Sequence, residues 1–111
     1  MIRLISTHYQ DKDPVRAAEL DDCLARNKAN PLIGDVLVLP SEPRASFNDA
    51  IKAANAAEPV ADYTIIANAD VWFDNSLAWL PEIDWRKDRA IALSRWGITE
   101  AGVPAPLNQV D

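Results

Sequence analysis

Short apolar runs rich in β-branched residues alternate with helix-like segments along this chain of 111 residues. The runs occupy residues 2–7, 35–39, 63–67 and 90–94, and they lack the polar alternation of strands with one solvated face. Strands joined by crossover helices form right-handed βαβ units with a parallel sheet. The sequence therefore predicts a single α/β domain over residues 1–111, with a three-layer, Rossmann-like, mostly parallel sheet.

Capping residues and prolines mark the two helices between the first three runs. Asp13 precedes Pro14, the order expected at a helix start, and apolar residues then recur at intervals of three and four. Ser46 is predicted to cap the second helix, with Asp49 in the capping-box position. The predicted buried stripe of this helix consists of Phe47, Ala50, Ile51 and Ala54. Residues 99–111 are rich in Pro, Gly and polar side chains and are predicted as loop.

The composition is that of a small acidic globular domain. Hydrophobic residues make up 49% of the chain, and the formal net charge is -6. Because a phosphate backbone is bound through clustered Lys and Arg, nucleic acid is not expected as a partner. The single cysteine, Cys23, excludes an internal disulfide and fits a reducing cytoplasm. The apolar runs are far shorter than the roughly 20 residues of a membrane span, so we expect a cytoplasmic protein without a transmembrane segment.

Polar side chains follow each predicted strand, and in an open α/β sheet ligands bind beyond the carboxyl ends of the strands. The segments concerned are residues 6–13, 40–44, 68–74 and 94–96. The charged and amide side chains collected at this edge include Asp11, Asp13, Arg44, Asn68, Asp70, Asp74 and Arg95. The sequence therefore predicts the ligand site at this edge of the sheet.

Asn68 and Asp70 are the main candidates for chemistry. They directly follow the third apolar run, and residues two apart on an extended chain point the same way. Their oxygens can converge on one hard cation of the kind that bridges phosphates. The alternative is structural, since Asn and Asp after a strand also make turns or cap helices. The cap interpretation is favoured for Asp74, which precedes a short predicted helix over residues 76–80.

Arginines and tryptophans near this edge each allow two interpretations. Arg44 and Arg95 can form bidentate contacts with phosphate oxygens, or they can simply be solvated after a strand. Trp72, Trp79 and Trp85 have apolar neighbours typical of packing. The alternative is that Trp72 and Trp79 form an exposed patch, which would be an interface.

Residues 63–74 resemble the strand and acidic motif of GT-A type glycosyltransferases of the family-two kind. There an apolar strand runs into a D-x-D or related motif, followed by an aromatic or apolar pair and a short helix. Residues 92–96 are similar to a strand found after that motif in a bacterial glycosyltransferase-like group. With the order of strands and helices, the resemblance covers about residues 1–96.

The resemblance implies the donor-binding half of such an enzyme, with a nucleotide-sugar as substrate and Mg²⁺ or Mn²⁺ as cofactor. Asp70 matches the motif aspartate that contacts metal and diphosphate, and Asp74 is the second residue assigned to the metal. The residues assigned to the substrate are Thr7, Arg44, Asn68 and Arg95. Asn68 stands where the family usually has a carboxylate, which removes one negative charge from the motif.

The sequence also departs from the family. Family members usually have one more strand before the motif, and an inverting enzyme needs a carboxylate base after it. Beyond Trp96 the acidic residues are Glu100 and Asp111, neither in a recognisable motif, so the catalytic residues and the acceptor are unknown. The chain is expected to be a donor-binding half, a truncated transferase or a relative without catalysis. The alternative is a non-catalytic α/β domain derived from that fold, which uses the tryptophan-rich region from Trp72 to Trp85 to form a homodimer or to dock on a partner. A receiver-like domain ranks lower, because no Lys follows the last predicted strand.

Overall fold

The computed structural model describes residues 1–83, 96–98 and 104–106 of the chain. A three-stranded parallel sheet contains β1 (Ile2–Thr7), β2 (Ile33–Leu39) and β3 (Tyr63–Ile66), in the order β2-β1-β3. The helices α1 (Pro14–Ala29) and α2 (Phe47–Ala56) connect the strands, and a 3₁₀ helix (Asn75–Glu82) follows β3. The predicted α/β character is therefore confirmed.

The central strand β1 carries the hydrophobic core. Leu4 pairs with Val36 of β2 on one side and with Ile65 of β3 on the other. Leu4 is fully buried and belongs to one cluster with Leu77 and Leu80 of the 3₁₀ helix. Burial of a Leu side chain contributes about 1.5–3 kcal/mol, so this cluster stabilises the 3₁₀ helix against the sheet.

The residue that precedes Leu4 on β1 presents a charge to the other face of the sheet. The Arg3 side chain is 1% exposed. Its Nε donates to Oδ2 of Asp35 on β2 at 2.6 Å, and its Nη2 donates to the carbonyl oxygen of Pro59 at 2.7 Å. A buried charge is tolerated only when it is paired and hydrogen-bonded. Arg3 therefore links β1 to β2 and to the segment that follows α2.

The helix starts follow the predicted capping. Asp13 accepts a hydrogen bond from the backbone N–H of Val15 at 3.0 Å, with Pro14 in the first turn. Ser46 and Asp49 form a reciprocal capping box. The buried residues of α1 are Ala17, Leu20, Cys23 and Asn27.

The predicted buried stripe of α2 is wrong in large part. Of its four residues only Ala50 is buried, while Phe47 is 70% exposed and Ile51 is 38% exposed. In the part of the chain that the structure describes, α2 lies on a sheet of three strands. The surface beneath the helix is therefore narrow, and the apolar stripe extends past it.

Two further strands, β4 (Trp96–Ile98) and β5 (Pro104–Pro106), form a separate antiparallel pair. The loop predicted for residues 99–111 is therefore wrong at 104–106, where the prolines, which cannot donate a backbone hydrogen bond, concealed the strand. The predicted strand at 90–94 and Arg95 lie outside the described residues. Within those residues, no helix has the length and apolar character needed to cross a membrane.

Candidate functional site

The order of the strands creates a crevice at the carboxyl edge of the sheet. The chain passes from β1 to β2 on one side and then crosses back to β3 on the other. The direction of the strand order therefore reverses between the neighbouring strands β1 and β3, and doubly wound sheets bind ligands at such a switch point. A cleft of about 480 Å³ opens here. Its lining residues are Thr7, Tyr9, Gln10, Arg16, Leu20, Ser41, Glu42, Arg44, Asn68, Ala69 and Asp70.

Four of the six predicted site residues line this one cleft. Thr7 is the last residue of β1, Arg44 follows β2, and Asn68 and Asp70 follow β3. They are far apart in sequence and meet because parallel strands end at the same edge of the sheet. The structure thus brings these four side chains together, and what they bind stays a prediction.

Asp74, the second residue assigned to a metal, does not line the cleft. Its carboxylate accepts a hydrogen bond from the backbone N–H of Ser76 at 2.9 Å and caps the 3₁₀ helix. Hydrogen bonds from Ser76 lower the pKa of the Asp74 carboxyl below its ordinary value. The structure therefore shows Asp74 in the capping role that the sequence favoured. The remaining predicted residue, Arg95, lies outside the described part of the chain.

Arg16 is a cleft residue that the sequence analysis missed. Its Nη2 donates to Oδ2 of Asp70 at 3.2 Å, and its Nη1 donates to Oε2 of Glu19 at 3.4 Å. Hydrogen bonding to Asp70, and then to Tyr9 and Glu19, raises the pKa of Arg16 above its ordinary value, so the guanidinium stays charged. Helical spacing predicts only that Arg16 lies on the polar face of α1, opposite Ala17, Leu20 and Leu24. Its approach to Asp70 depends on how α1 crosses residues 68–74, which spacing does not encode.

One wall of the cleft is held in place by α1. Asn27 is 3% exposed, donates from Nδ2 to the carbonyl oxygen of Val71 at 3.0 Å, and accepts at Oδ1 from the N–H of Phe73 at 2.9 Å. Asn30 donates to the carbonyl oxygen of Phe73, also at 3.0 Å. The backbone directly after Asp70, from Val71 to Phe73, is therefore bonded to side chains at the carboxyl end of α1 and its C-cap, which anchors the chain beside the acidic motif.

The tryptophans divide between packing and exposure. The guanidinium of Arg26 lies over the ring of Trp72, 4.5 Å from its centroid, which adds a further contact between α1 and the motif segment. Trp72 is thus half-buried and in contact with α1. The packing interpretation of Trp79 is wrong, because Trp79 is 70% exposed, and Trp85 lies outside the described residues. The two tryptophans at 72 and 79 thus do not form the joint exposed patch of the alternative interpretation.

The acidic side chains of the cleft bear on the predicted Mg²⁺ or Mn²⁺. Glu42 and Asp70 are its carboxylates, next to the carboxamide of Asn68. Among the described residues, no three His, Cys, Asp or Glu side chains come together to hold a metal ion. Mg²⁺ is commonly bound by one or two carboxylates together with substrate phosphates and water. Asp70 with Asn68 fits that shared mode, in which the ligand supplies the remaining oxygens.

Comparison with protein-family models, with curated proteins and with solved structures finds no match to this chain.

Proposed function

We propose that this chain is a glycosyltransferase-like domain that binds the nucleoside diphosphate of a sugar donor in the cleft. The observation that carries the proposal is the convergence of Thr7, Arg44, Asn68 and Asp70 on one cleft of about 480 Å³. That volume is within the range of about 300–1,000 Å³ found for small-molecule sites. In this proposal the sheet is the start of a three-layer, Rossmann-like sheet of the GT-A kind, with the donor at the β1/β3 switch point.

The polar groups of the cleft are assigned by their chemistry. Arg44 contacts the diphosphate oxygens through its paired N–H donors, and Thr7 offers a hydroxyl to the nucleoside. Asp70 and Asn68 would hold a Mg²⁺ or Mn²⁺ ion, which would neutralise the charge of the diphosphate leaving group. Two arginines and two carboxylates line the cleft, so their formal charges cancel. Such a cleft suits a diphosphate whose charge is offset by a cation better than it suits a bare polyanion.

Donor binding is the part of the reaction that these residues support. Transfer of the sugar also needs a group that deprotonates the acceptor, and we assign that role to none of the cleft residues. The proposal therefore assigns neither an acceptor nor a stereochemical course.

We place the protein in the cytoplasm, in keeping with Cys23, a buried thiol whose pKa is raised by burial.

Calorimetry on the full chain tests donor binding. Uridine diphosphate and guanosine diphosphate are titrated with and without Mn²⁺, and we expect one of them to bind in a metal-dependent manner. Asp70→Ala should weaken that binding about tenfold or more, because a charged ligand is lost. Asp22→Ala, which removes a carboxylate elsewhere on α1, is the matched control and should leave the affinity unchanged. Binding of neither nucleotide in either condition would contradict the proposal.

The exposure of Trp79 favours a second candidate function, an interaction domain that pairs with a second copy of the chain. Trp79 lies 70% exposed on the 3₁₀ helix, between the buried residues Leu77 and Leu80. Sedimentation velocity over a range of concentrations should then show a dimer that Trp79→Ser abolishes. Phe47→Ser is the matched control, since Phe47 is equally exposed at 70%. A chain that stays monomeric at every concentration rules this function out.

A further inference from the structure

The bond between Arg16 and Asp70 is one that a ligand can replace. The side chain of Arg16 is 37% exposed and that of Asp70 is 34% exposed, so water reaches both. Ion pairs at such exposure contribute little to stability, because water solvates the separated charges nearly as well. The separation of 3.2 Å between Nη2 and Oδ2 is also longer than the about 2.7–2.9 Å typical of a charge-assisted hydrogen bond. Breaking this pair therefore requires little free energy.

The position of Arg16 places a second guanidinium at the cleft. Arg16 approaches from α1, whereas Arg44 approaches from the segment that follows β2. A guanidinium has five N–H donors, and those of Arg16 bond Asp70 in the cleft and Glu19 on α1. Arginine forms the same planar, paired bonds with phosphate as with carboxylate. A diphosphate in this cleft thus lies within the reach of two arginines from different elements.

We propose that Arg16 is a second anion ligand of the cleft and exchanges its bond to Asp70 for phosphate oxygens when a diphosphate binds. The identification of the anion as a diphosphate rests on the proposed function. The exchange keeps the charges balanced, because Arg16 passes from a carboxylate to a phosphate while the Asp70 carboxylate becomes available to a divalent cation. The ion pair of Arg16 with Asp70 in the free protein is replaced in the complex by two pairs, Arg16 with phosphate and Asp70 with the cation.

The proposed exchange of partners predicts that loss of the Asp70 charge changes the affinity for a metal-free anion and the affinity for a nucleotide with metal in opposite directions. In the absence of metal, Asp70 both repels an incoming anion and competes for Arg16. Asp70→Asn should therefore strengthen the binding of a bare anion, although the same loss of charge weakens metal-dependent nucleotide binding. A residue that only supports the local fold would not give this gain.

The test is calorimetric titration of inorganic pyrophosphate into the full chain with a chelator present. Asp70→Asn should bind pyrophosphate about three- to tenfold more tightly than the unmodified chain, as expected for release of one exposed charge pair. The double variant Arg16→Gln/Asp70→Asn should lose this gain, and Arg16→Lys/Asp70→Asn should keep part of it. Lys28→Gln, which removes a positive charge from the last turn of the same helix, is the control. Circular dichroism confirms that each variant is folded.

The outcomes separate the two proposals. If Asp70→Asn gives no gain, or if the gain persists without Arg16, the assignment of Arg16 is wrong whatever the nucleotide titrations show. If the gain depends on Arg16 but no nucleoside diphosphate binds with Mn²⁺, Arg16 stands as an anion ligand and donor binding fails. If both results are positive, the two proposals stand together.

Discussion

Exposure decides what an arginine does in this protein. Arg3 is 1% exposed and its guanidinium is held by Asp35 and by the carbonyl oxygen of Pro59, so the charge serves the interior of the fold. Arg16 is 37% exposed and pairs with Asp70 in the lining of a cleft, where water reaches both side chains. The same side chain is thus a fixed structural group in one place and an exchangeable one in the other.

The buried pair gives an asymmetric prediction for stability. Asp35 is 45% exposed, so removing Arg3 leaves a carboxylate that water can solvate, whereas removing Asp35 leaves a buried cation without its charged partner. We expect Asp35→Ala to lower the free energy of unfolding by about 2–4 kcal/mol, and Arg3→Met to lower it by only about 1 kcal/mol. Chemical denaturation followed by circular dichroism measures both values.

The exposed pair of Asp22 and Arg26 is the reference for this comparison. Asp22→Ala should change the free energy of unfolding by less than about 0.5 kcal/mol, because surface ion pairs contribute little. Equal effects of Asp35→Ala and Arg3→Met would show that lost packing, and not the unpaired charge, determines the stability of the site.

At the scale of elements, α1 supports the cleft and contributes a side chain to it. Its helical body presents Arg16 to the cleft, while Asn27 and Asn30 near its carboxyl end hold the segment that carries the acidic motif. These contacts join residues more than 40 positions apart in the sequence. The helix α1 therefore carries the charge that faces Asp70 and holds the backbone that directly follows Asp70.

The range of an interaction explains which features of these elements the sequence could predict. The caps at Asp13 and Ser46 are interactions within three residues, so their spacing predicts them directly. The bonds of Asn27 depend on the angle at which α1 crosses the sheet, and a buried Asn in a helical pattern does not reveal its partner. The exposed Phe47 was mispredicted for a similar reason, because a stripe indicates what a helix can bury and not how much surface lies beneath it.

Substitution of Asn27 tests whether α1 positions the acidic motif. Asn27→Leu keeps a similar volume but leaves the N–H of Phe73 and the carbonyl oxygen of Val71 without their buried partner. We expect a loss of about 2–3 kcal/mol in the free energy of unfolding. Hydrogen exchange of the Phe73 amide should accelerate by more than the exchange in β1, because the segment loosens before the sheet does.

Lys28→Leu, on the exposed neighbouring position, is the control and should leave the exchange of the Phe73 amide as it is. Uniform acceleration throughout the sheet in Asn27→Leu would instead mean that Asn27 contributes to global stability without any particular role at the motif.

At the scale of the whole molecule, the cleft differs from its surroundings in charge. The chain carries a net charge of -6, whereas the two arginines and two carboxylates of the cleft cancel. An anionic ligand therefore meets a repulsive field at a distance and a neutral, arginine-containing site on contact. The alternation of apolar runs and helices predicts the parallel sheet. It does not predict on which side of β1 the strand β3 lies. The observed strand order β2-β1-β3 places the acidic motif at the cleft.

Salt should therefore speed the association of an anionic ligand. Raising the ionic strength from about 0.01 to 0.15 M shortens the screening length from about 30 to 8 Å, which weakens the long-range repulsion. We expect the association rate constant of pyrophosphate to rise about two- to threefold over this range, measured by stopped-flow tryptophan fluorescence. A rate constant that falls with salt would show that the local field of the arginines dominates.

The anchoring of residues 68–74 to α1 has a consequence for how this site can diversify. Asn27 and Asn30 hold that wall by its backbone, so changes there put the stability of the fold at risk. Within the described residues, no hydrogen bond ties the turn at 41–44 to α1, yet Ser41, Glu42 and Arg44 line the same cleft. Engineered changes in ligand preference are therefore least constrained in that turn, because substitutions there break no bond to α1.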